Sequence, residues 1–410
     1  MDEQQRTILV RCSGIDRPGI TTGLLGVLAD SGAELFDMEQ VVVRDRLTLD
    51  LLIGVDAGDH VLKELLFHGW EHELQLEFEV IGTDAARPRG PRSVVTVIGQ
   101  SLPPGALRDV TGAIAGAGGN IDRIVRLSRY PVVSYEFTTH AGDADDMRAR
   151  LVATAKAHGV DVAVQRESLE RRAKRLVVMD VDSTLIQDEV IELLADEAGC
   201  GEEVAEITAR AMAGELDFES SLRERTARLA GTTVQTLDLV AARVRLTPGA
   251  RTFVRTLKRL GYTVAIVSGG FTYVTDLLAA DLGIDHAAAN ELEIVDGVVT
   301  GRLLGEVIDR AGKARVLQEI AAAEQVPLEQ TVAVGDGAND LDMLAAAGLG
   351  IAFNAKPVVR EAADTAVSVP YLDAILFLLG IRREDIEQAD ADDPDVATDG
   401  LIPVPGTPPV

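Results

Sequence analysis

Four short apolar runs recur in the second half of this chain, and long segments with helical periodicity separate them. The runs occupy residues 176–179, 264–267, 332–334 and 351–353. Each run is too short and too uniformly apolar for an amphipathic helix, so we interpret each as a buried strand. Strands that alternate with helices predict a doubly wound parallel α/β sheet, which places its chemistry at the carboxyl ends of the strands.

Two carboxylates directly follow the first apolar run, in the sequence Asp180-Val181-Asp182. Residues i and i+2 of an extended segment point the same way, so both acids can face one reacting group. One ionised and one protonated carboxylate could then act as nucleophile and general acid. Taken alone, such a pair is equally typical of a calcium loop or a solvated turn.

Three further polar motifs follow in the second half of the chain. Ser268-Gly269-Gly270 ends the second run, where a hydroxyl and glycine amides suit an oxyanion, although the same residues also make an ordinary turn. Lys313 stands at the predicted start of a helix, where a lone lysine is most often a surface residue. Asp336 follows the third run in an acidic glycine-rich loop, and a carboxylate there, beside Asp180, would suit Mg²⁺.

The first 165 residues contain a duplication with an offset of 86 residues, since Pro18-Gly19 recurs as Pro104-Gly105 and Gly32 recurs as Gly118. Each copy has the pattern of a strand, a Pro-Gly turn, an amphipathic helix, two strands, a second helix and a last strand. This βαββαβ order predicts a small sheet with helices on one face. We place these two domains at residues 1–84 and 93–165.

The remaining residues are assigned to an α/β domain at 166–383 and a tail at 384–410. The segment at about 188–245 is helical throughout and longer than a crossover needs, so we interpret it as a cap over the site. The tail is acidic and then proline-rich, which predicts disorder. His68 and His72 have the i, i+4 spacing of zinc ligands, but Gly69 weakens a helix there and no third ligand is evident. We prefer a solvated turn to a zinc site.

The charge and the cysteine pattern exclude several classes of function. A net charge of −27 argues against non-specific binding to nucleic acid or anionic membranes. Cys12 and Cys200 are far apart and form no Cys-x-x-Cys pair, which indicates a reducing compartment. The N-terminus lacks a signal-peptide pattern, and no stretch reaches the roughly 18 apolar residues of a membrane span. We therefore expect a cytoplasmic protein without nucleic-acid or membrane partners.

The four motifs, in this order, resemble the haloacid dehalogenase superfamily of phosphotransferases over residues 176–380. Glu189 and the segments 212–218 and 221–225 resemble the cap of phosphoserine phosphatases, and the doubled N-terminal unit resembles tandem ACT domains, which in many proteins bind amino acids. The resemblance implies two ferredoxin-like βαββαβ (ACT) domains followed by a doubly wound parallel α/β (HAD-like) domain with a helical cap. It also implies Mg²⁺-dependent hydrolysis of O-phospho-L-serine, the last step of serine biosynthesis.

The resemblance further implies chemical roles for particular residues. Asp180 would attack phosphorus and form an aspartyl-phosphate, while Asp182 would protonate the departing serine oxygen and later take a proton from water. The negative charge of Asp180 and of the phosphate should favour the acid form of Asp182. The Mg²⁺ ligands would be Asp180, the backbone carbonyl of Asp182, and Asp336.

The same resemblance assigns substrate contacts. The phosphoryl oxygens would be held by Ser268, Gly269 and Lys313. Asn339 and Asp340 would position substrate, metal and lysine. Glu189 fits the substrate ammonium and Arg225 its carboxylate, and Met212 and Phe218 could close an apolar lid that excludes water. Without the resemblance, Arg225 would be interpreted as part of a solvated helix face, and Met212 and Phe218 as core residues.

The ACT resemblance implies L-serine as an allosteric ligand and a homodimer. Asp16 and Asn120 are candidate ligand contacts. The second copy lacks the Asp-Arg pair that precedes Pro18 in the first copy, so we do not expect equal binding by both copies. Two alternatives stay open: a phosphatase of another small phosphomonoester, and an amino-acid-sensing interaction protein.

Overall fold

The computed structural model describes residues 6–56, 60–81 and 90–393, and the chain divides into two units, residues 1–88 and 89–410. The first unit contains β1 (Arg6–Ile15), α1 (Ile20–Ser31), β2 (Glu34–Val43), β3 (Arg46–Val55), α2 (Val61–Glu71) and β4 (Gln75–Ile81). Its antiparallel sheet has the order β2-β3-β1-β4. Leu24 and Leu28 of α1 share one buried core with Leu49 and Leu51 of β3. Gly19 precedes α1 with φ 95°, a left-handed conformation that glycine adopts without strain.

His68 lies in the last turn of α2, whereas His72 follows the helix in an exposed turn, so the prediction of a solvated turn was wrong for His68. Gly69 is buried within this helix, and a Cβ there would lie 2.5 Å from Cδ1 of Leu76, so glycine permits close packing against β4. The rings of His68 and His72 have centroids 4.3 Å apart. Potential ligand atoms of His68, Glu71 and His72 lie within 4.8 Å of one another, so Glu71 is a third candidate that the sequence interpretation missed.

The second βαββαβ copy opens the second unit. It contains β5 (Arg92–Gly99), α3 (Pro104–Gly116), β6 (Asn120–Ser128), β7 (Val133–His140), α4 (Ala144–His158) and β8 (Asp161–Arg166). Its sheet has the order β6-β7-β5-β8, which matches the first copy position by position. Asp143 caps α4 by accepting hydrogen bonds from the N–H groups of Asp145 and Asp146. The predicted fold of both copies is confirmed.

The rest of the second unit is the α/β domain. Its strands are β9 (Leu176–Met179), β10 (Thr263–Phe271), β11 (His286–Val295), β12 (Val298–Leu304), β13 (Thr331–Gly335), β14 (Gly350–Phe353) and β15 (Thr365–Val367). Its helices are α5 (Leu169–Arg172), α6 (Val190–Glu197), α7 (Gly201–Met212), α8 (Phe218–Arg228), α9 (Val234–Ala241), α10 (Ala250–Arg259), α11 (Thr272–Leu282), α12 (Arg310–Ala323), α13 (Leu341–Ala346), α14 (Pro357–Ala362), α15 (Ile375–Leu378) and α16 (Arg383–Ala391). The sheet order is β12-β11-β10-β9-β13-β14-β15, parallel except for the edge strand β12. The helices α6 to α9 fill the segment interpreted as a cap.

The predicted disorder of the tail from residue 384 was wrong for its first residues, because α16 continues to Ala391. Asp390 of this helix accepts hydrogen bonds from Arg255 (2.6 Å) and from Arg259 of α10, and these ion pairs fasten the helix to the domain. Residues 394–410 lie outside the described part of the chain.

The second copy and the α/β domain share one hydrophobic core, which the sequence interpretation had separated at residue 165. The contributing residues of the second copy are Ile98, Leu127, Val132 and Ala163. Polar contacts cross the same junction: Gln165 Nε2 donates to the carbonyl oxygen of Leu378 (2.9 Å), and the Ser368 N–H donates to Asp161 Oδ2 (2.6 Å). The second copy therefore folds against the α/β domain as part of one body.

Candidate active site

Asp180 directly follows β9 at the carboxyl edge of the sheet and is only 3% exposed. Its backbone N–H donates to the carbonyl oxygen of Val334 on the neighbouring β13 (2.9 Å), which fixes the position of the carboxylate. Lys313 Nζ donates to Asp180 Oδ1 (2.5 Å) and to Asp340 Oδ1 (2.7 Å). A buried ammonium thus holds two carboxylates at the point where β9 ends.

The protonation of this buried group follows from its partners. Burial raises the pKa of Asp180 well above its ordinary value; Lys313 opposes this effect, while Asp340 and Asp182 add to it. Burial alone would lower the pKa of Lys313, but the carboxylates of Asp180 and Asp340 outweigh it and raise that pKa. An ammonium within hydrogen-bond distance of two carboxylates keeps its proton. We therefore assign the positive charge to Lys313 and the ionised form to Asp180.

Asp182 is held at the same edge by two donors. The Val190 N–H donates to its Oδ1 (2.8 Å), and the Ser268 hydroxyl donates to its Oδ2 (2.8 Å). The Gly270 N–H in turn donates to Ser268 Oγ (2.7 Å). Ser268 is buried, and its neighbours Gly269 and Gly270 line the cleft. In this structure Ser268 orients Asp182, whereas the sequence interpretation assigned it to the phosphoryl group.

Asp336 lies half-buried at the end of β13. The Thr184 hydroxyl donates to its Oδ1 (3.3 Å), a contact that the sequence interpretation did not anticipate. Burial, and then the charge of Asp340, raises the pKa of Asp336 to about 6. Its place after β13 and its contact with Thr184 put Asp336 at the same edge of the sheet as the other carboxylates.

Carboxylate oxygens of Asp180, Asp336 and Asp340 lie within 4.8 Å of one another. Asp340 is already engaged, since its Oδ1 accepts from Lys313 and its Oδ2 accepts from the Gly337 N–H (2.9 Å). Asp180 and Asp336 are therefore the carboxylates that fit a divalent cation. A small set of hard oxygen donors with room for water and phosphate suits Mg²⁺.

A cleft of about 570 Å³ opens over these carboxylates, and residues of α7 and α8 line its cap side. Phe218 begins α8 and lies against the glycine turn that follows β10: a Cβ at Gly269 would come within 3.0 Å of its ring. Only glycine therefore fits at position 269 without displacing this ring. Asn339 also lines the cleft, and its role in positioning the substrate stays a prediction. The side chain of Met212 lies outside the described part of the chain, so its role in a lid stays a prediction.

Glu189 and Arg225 line the same cleft. Ser183, which has a left-handed φ of 57°, donates from its hydroxyl to Glu189 Oε1 (2.8 Å). Desolvation in the cleft, and next the charge of Asp182, raises the pKa of Glu189 to about 7. Burial lowers the pKa of Arg225, and Glu189 counteracts this effect. One anion and one cation in a single cleft can bind the two ends of an amino-acid zwitterion.

Asn290 is a positioning residue that the sequence interpretation missed. It is 2% exposed; its Nδ2 donates to the Gly269 carbonyl (2.9 Å), and its Oδ1 accepts from the Ile308 N–H (2.8 Å). It thus ties the glycine turn to the loop before α12, the helix that carries Lys313. Asp309 caps that helix by accepting from the Gly312 N–H (2.7 Å). A polar residue inside a strand pattern was the available signal for Asn290.

The two candidate ligand contacts of the N-terminal copies lie in different units. Asp16 is exposed in the turn after β1, and its N–H donates to the carbonyl oxygen of Asp45 (2.8 Å). Asn120 begins β6 and is also exposed.

Cys12 and Cys200 are both free thiols. Within residues 6–56, 60–81 and 90–393, the helices are all too short or too polar to cross a membrane.

Family models match three parts of the chain. The model of haloacid dehalogenase-like hydrolases matches residues 177–345, and two ACT-domain models match residues 6–79 and 92–165. The fold and the site therefore define a haloacid dehalogenase-like hydrolase that carries two ACT domains.

Relatives of similar length narrow this class. The chain is 58% identical to the phosphoserine phosphatase of Streptomyces coelicolor and 48% identical to phosphoserine phosphatase SerB2 of Mycobacterium tuberculosis, in each case over 94% of this chain and 96% of the relative. A solved structure of a probable phosphoserine phosphatase from Vibrio cholerae is 38% identical, with a TM-score of 0.58, and covers 75% of this chain and 92% of its own. The chain belongs to the phosphoserine phosphatase family.

Proposed function

We propose that the protein hydrolyses O-phospho-L-serine to L-serine and phosphate through an aspartyl-phosphate on Asp180. The observation that carries this proposal is a single cleft lined both by Asp180 and Asp182 and by Glu189 and Arg225. A phosphomonoester that also bears an ammonium and a carboxylate has a partner for each of its charged groups in this cleft. The names of two relatives that match over nearly their whole length support the same substrate.

In the first step, a carboxylate oxygen of Asp180 forms a bond to phosphorus while the bond from phosphorus to the serine oxygen breaks. Asp182 gives its proton to the departing oxygen, because a serine alkoxide is a poor leaving group; such a donor contributes roughly 10²–10⁴-fold. The Ser268 hydroxyl can stay hydrogen-bonded to Asp182 before and after this proton transfer, since a hydroxyl can either donate to a carboxylate or accept from a carboxylic acid.

In the second step, water attacks the phosphorus of the aspartyl-phosphate. Asp182, now ionised, takes a proton from this water, and the bond from phosphorus to Asp180 breaks to release phosphate. Lys313 keeps Asp180 in place throughout, since its ammonium also remains bonded to Asp340. Both steps therefore use the same pair of carboxylates.

Asp180, Asp336 and the backbone carbonyl of Asp182 would hold Mg²⁺. When bound, the cation would neutralise part of the repulsion between the nucleophile and the anionic phosphate. The described carboxylates of the site outnumber Lys313, so a further positive charge fits the cluster.

Phosphate release from a panel of phosphorylated metabolites, with Mg²⁺ and with a chelator, tests the proposal. Phosphoserine should be the preferred substrate, and chelation should abolish its turnover. Asp180→Asn should abolish hydrolysis while circular dichroism shows a retained fold; turnover retained by this variant would refute the nucleophile. Preference for a phosphomonoester without an amino-acid head would favour the alternative substrate class.

We also propose that L-serine regulates the enzyme through its ACT domains. Deletion of residues 1–165 is not a clean test, because Ile98 and Leu127 belong to the core of the phosphatase domain. Single substitutions, Asp16→Ala and Asn120→Ala, avoid this problem. Inhibition by L-serine should weaken in at least one variant, and unchanged inhibition in both would contradict these two contacts.

We further propose that the protein forms a homodimer through the first copy. All ten residues of the edge strand β2 are exposed, among them Leu35 (40%), Phe36 (44%) and Met38 (46%). An exposed apolar edge strand is a template for pairing with another strand, and a second copy of this chain would supply one. Light scattering should give the mass of a dimer for the wild type and of a monomer for Met38→Lys; a monomeric wild type would contradict the proposal.

A further inference from the structure

The strand β14 of the phosphatase sheet is followed by a lysine that lines the catalytic cleft. Lys356 follows β14 by three residues and lines the same cleft as Asp180, Asp336 and Arg225. The chemistry already described comes from the strand ends of β9, β10 and β13 and from α12. The loop after β14 has no role in that chemistry, yet it brings a lysine to the cleft.

The backbone at this position is fixed, while the side chain is exposed. Asn354 has a left-handed φ of 45°, and its N–H donates to the carbonyl oxygen of Val367 on β15 (2.8 Å). Lys356 has the extended conformation (φ −63°, ψ 154°) that a following proline favours, and Pro357 begins α14. The Lys356 carbonyl accepts the first hydrogen bond of that helix, from Val359 (3.0 Å). The loop therefore holds the base of the lysine in place.

Within the described residues, the Lys356 ammonium has no carboxylate partner, and its side chain is exposed. Lys258, by contrast, forms an ion pair with Asp285. An unpaired ammonium on a loop that backbone hydrogen bonds anchor is available to a ligand, and lysine binds phosphate as a compact point charge.

The negative charge of the cleft indicates a role for the Lys356 ammonium. Four carboxylates line the cleft, from Asp180, Asp182, Glu189 and Asp336, and the whole chain carries a net charge of −27. A phosphomonoester carries a charge of about −1.5 to −2 on its phosphate near neutral pH. The net charge of the protein therefore repels its own substrate, and Lys356 adds to Arg225 as a positive charge that opposes this repulsion at the cleft.

We propose that Lys356 captures the phosphate dianion of the substrate as it enters the cleft. This inference rests on the proposed phosphatase function and extends it to a residue for substrate entry. Lys356 acts on the phosphate group, which every phosphomonoester shares, whereas Arg225 acts on the carboxylate. Its contribution therefore appears in kcat/KM for all phosphomonoesters and weakens as salt screens the charge.

Steady-state kinetics of Lys356→Gln, Lys356→Arg and the wild type test this role. The substrates are phosphoserine and phosphoethanolamine, at fixed Mg²⁺ and at ionic strengths of about 0.03 M and about 0.5 M. Lys356→Gln should lower kcat/KM for both substrates about tenfold at low ionic strength and less than about threefold at high ionic strength. The value of kcat should stay within about twofold, and Lys356→Arg should restore most of the loss.

Lys156→Gln is the matched control. Lys156 is also exposed, lies on α4 of the same unit and loses the same charge. It should leave the kinetics of both substrates unchanged. An unchanged kcat/KM in Lys356→Gln at low salt, an equal loss at both ionic strengths, or an equal loss in Lys156→Gln would overturn the inference. Failure of the wild type to hydrolyse any phosphomonoester would instead refute the proposed function.

Discussion

Replacement of Arg225 by alanine should weaken hydrolysis of phosphoserine selectively. Arg225 is half-buried on α8, and its Nε donates to the Ser221 carbonyl at 3.4 Å. In the described part of the chain, its two terminal nitrogens have no hydrogen-bond partner, although they belong to a residue that lines the cleft. These donors are therefore free to bind a carboxylate in a bidentate arrangement.

The size of the effect follows from this arrangement. A hydrogen bond to a charged group contributes about 1.5–3 kcal/mol net. Because the cleft is open to water on one side, we take about 3 kcal/mol for the pair of bonds together, near the lower limit of their sum. At 1.36 kcal/mol per factor of ten, Arg225→Ala should lower kcat/KM for phosphoserine roughly 150-fold.

The assay compares phosphoserine with phosphoethanolamine, which keeps the phosphate and the ammonium but lacks the carboxylate. Arg225→Ala should change kcat/KM for phosphoethanolamine less than about threefold, since the lost contact does not exist for that substrate. Arg223→Ala is the control: Arg223 lies on the same helix, is exposed and pairs with Glu219 (2.7 Å). It should leave both substrates nearly unchanged. An equal loss on both substrates in Arg225→Ala would refute the assignment, because Arg225 would then act on the phosphate or on the fold.

Two further predictions concern pH and stability. The pKa of Glu189 is raised to about 7, so this carboxylate is ionised above that pH and becomes neutral below it. The ratio of kcat/KM for phosphoserine of the wild type to that of Glu189→Gln should therefore fall as the pH drops from about 8 to about 6. Ionisation of the substrate phosphate affects both enzymes equally and cancels in this ratio. A ratio that does not change with pH would contradict the role of Glu189. Leu127→Ala should lower the free energy of unfolding by about 2–5 kcal/mol in urea titrations, because Leu127 is buried in the core shared with the phosphatase domain. The control Leu169→Ala, at a position that is 83% exposed, should lower it by less than about 0.5 kcal/mol, and a similar small loss in Leu127→Ala would exclude a stabilising junction.

The site at the strand ends of the phosphatase domain was predictable because each of the first three apolar runs is followed within two residues by a residue proposed for the chemistry. Asp180 and Asp336 directly follow β9 and β13, and parallel strands in one sheet bring their carboxyl ends together. Asn290 and Lys356 were not predictable in the same way. Asn290 acts through its position between two loops that are distant in sequence, and Lys356 lies beyond a turn whose direction depends on Asn354.

The shared core of the second unit was predictable in principle, from a difference between the two copies. Burial in β1 is one-sided, since Val10 and Cys12 are buried while Arg11 between them is exposed. Burial in β5 is continuous from Ser93 to Gly99. A strand that is covered on both faces reads as an unbroken apolar run, whereas a strand with one solvated face alternates.

The repeat itself concealed this signal. Val10 pairs with Leu51 in the first sheet, and Val95 pairs with Phe137 in the second. Leu51 and Phe137 are 86 residues apart, but Val10 and Val95 are only 85 apart, so the first strand is displaced by one residue relative to the rest of the repeat. A shift of one residue exchanges the two faces of a strand. An alignment at a constant offset of 86 residues therefore matches the inward face of β1 with the outward face of β5. The outward apolar residues of β5 are then mistaken for the core of the second copy. With the correct register, β5 has an inward apolar face and a second, outward apolar face, and Ile98 on the outward face packs into the core of the phosphatase domain.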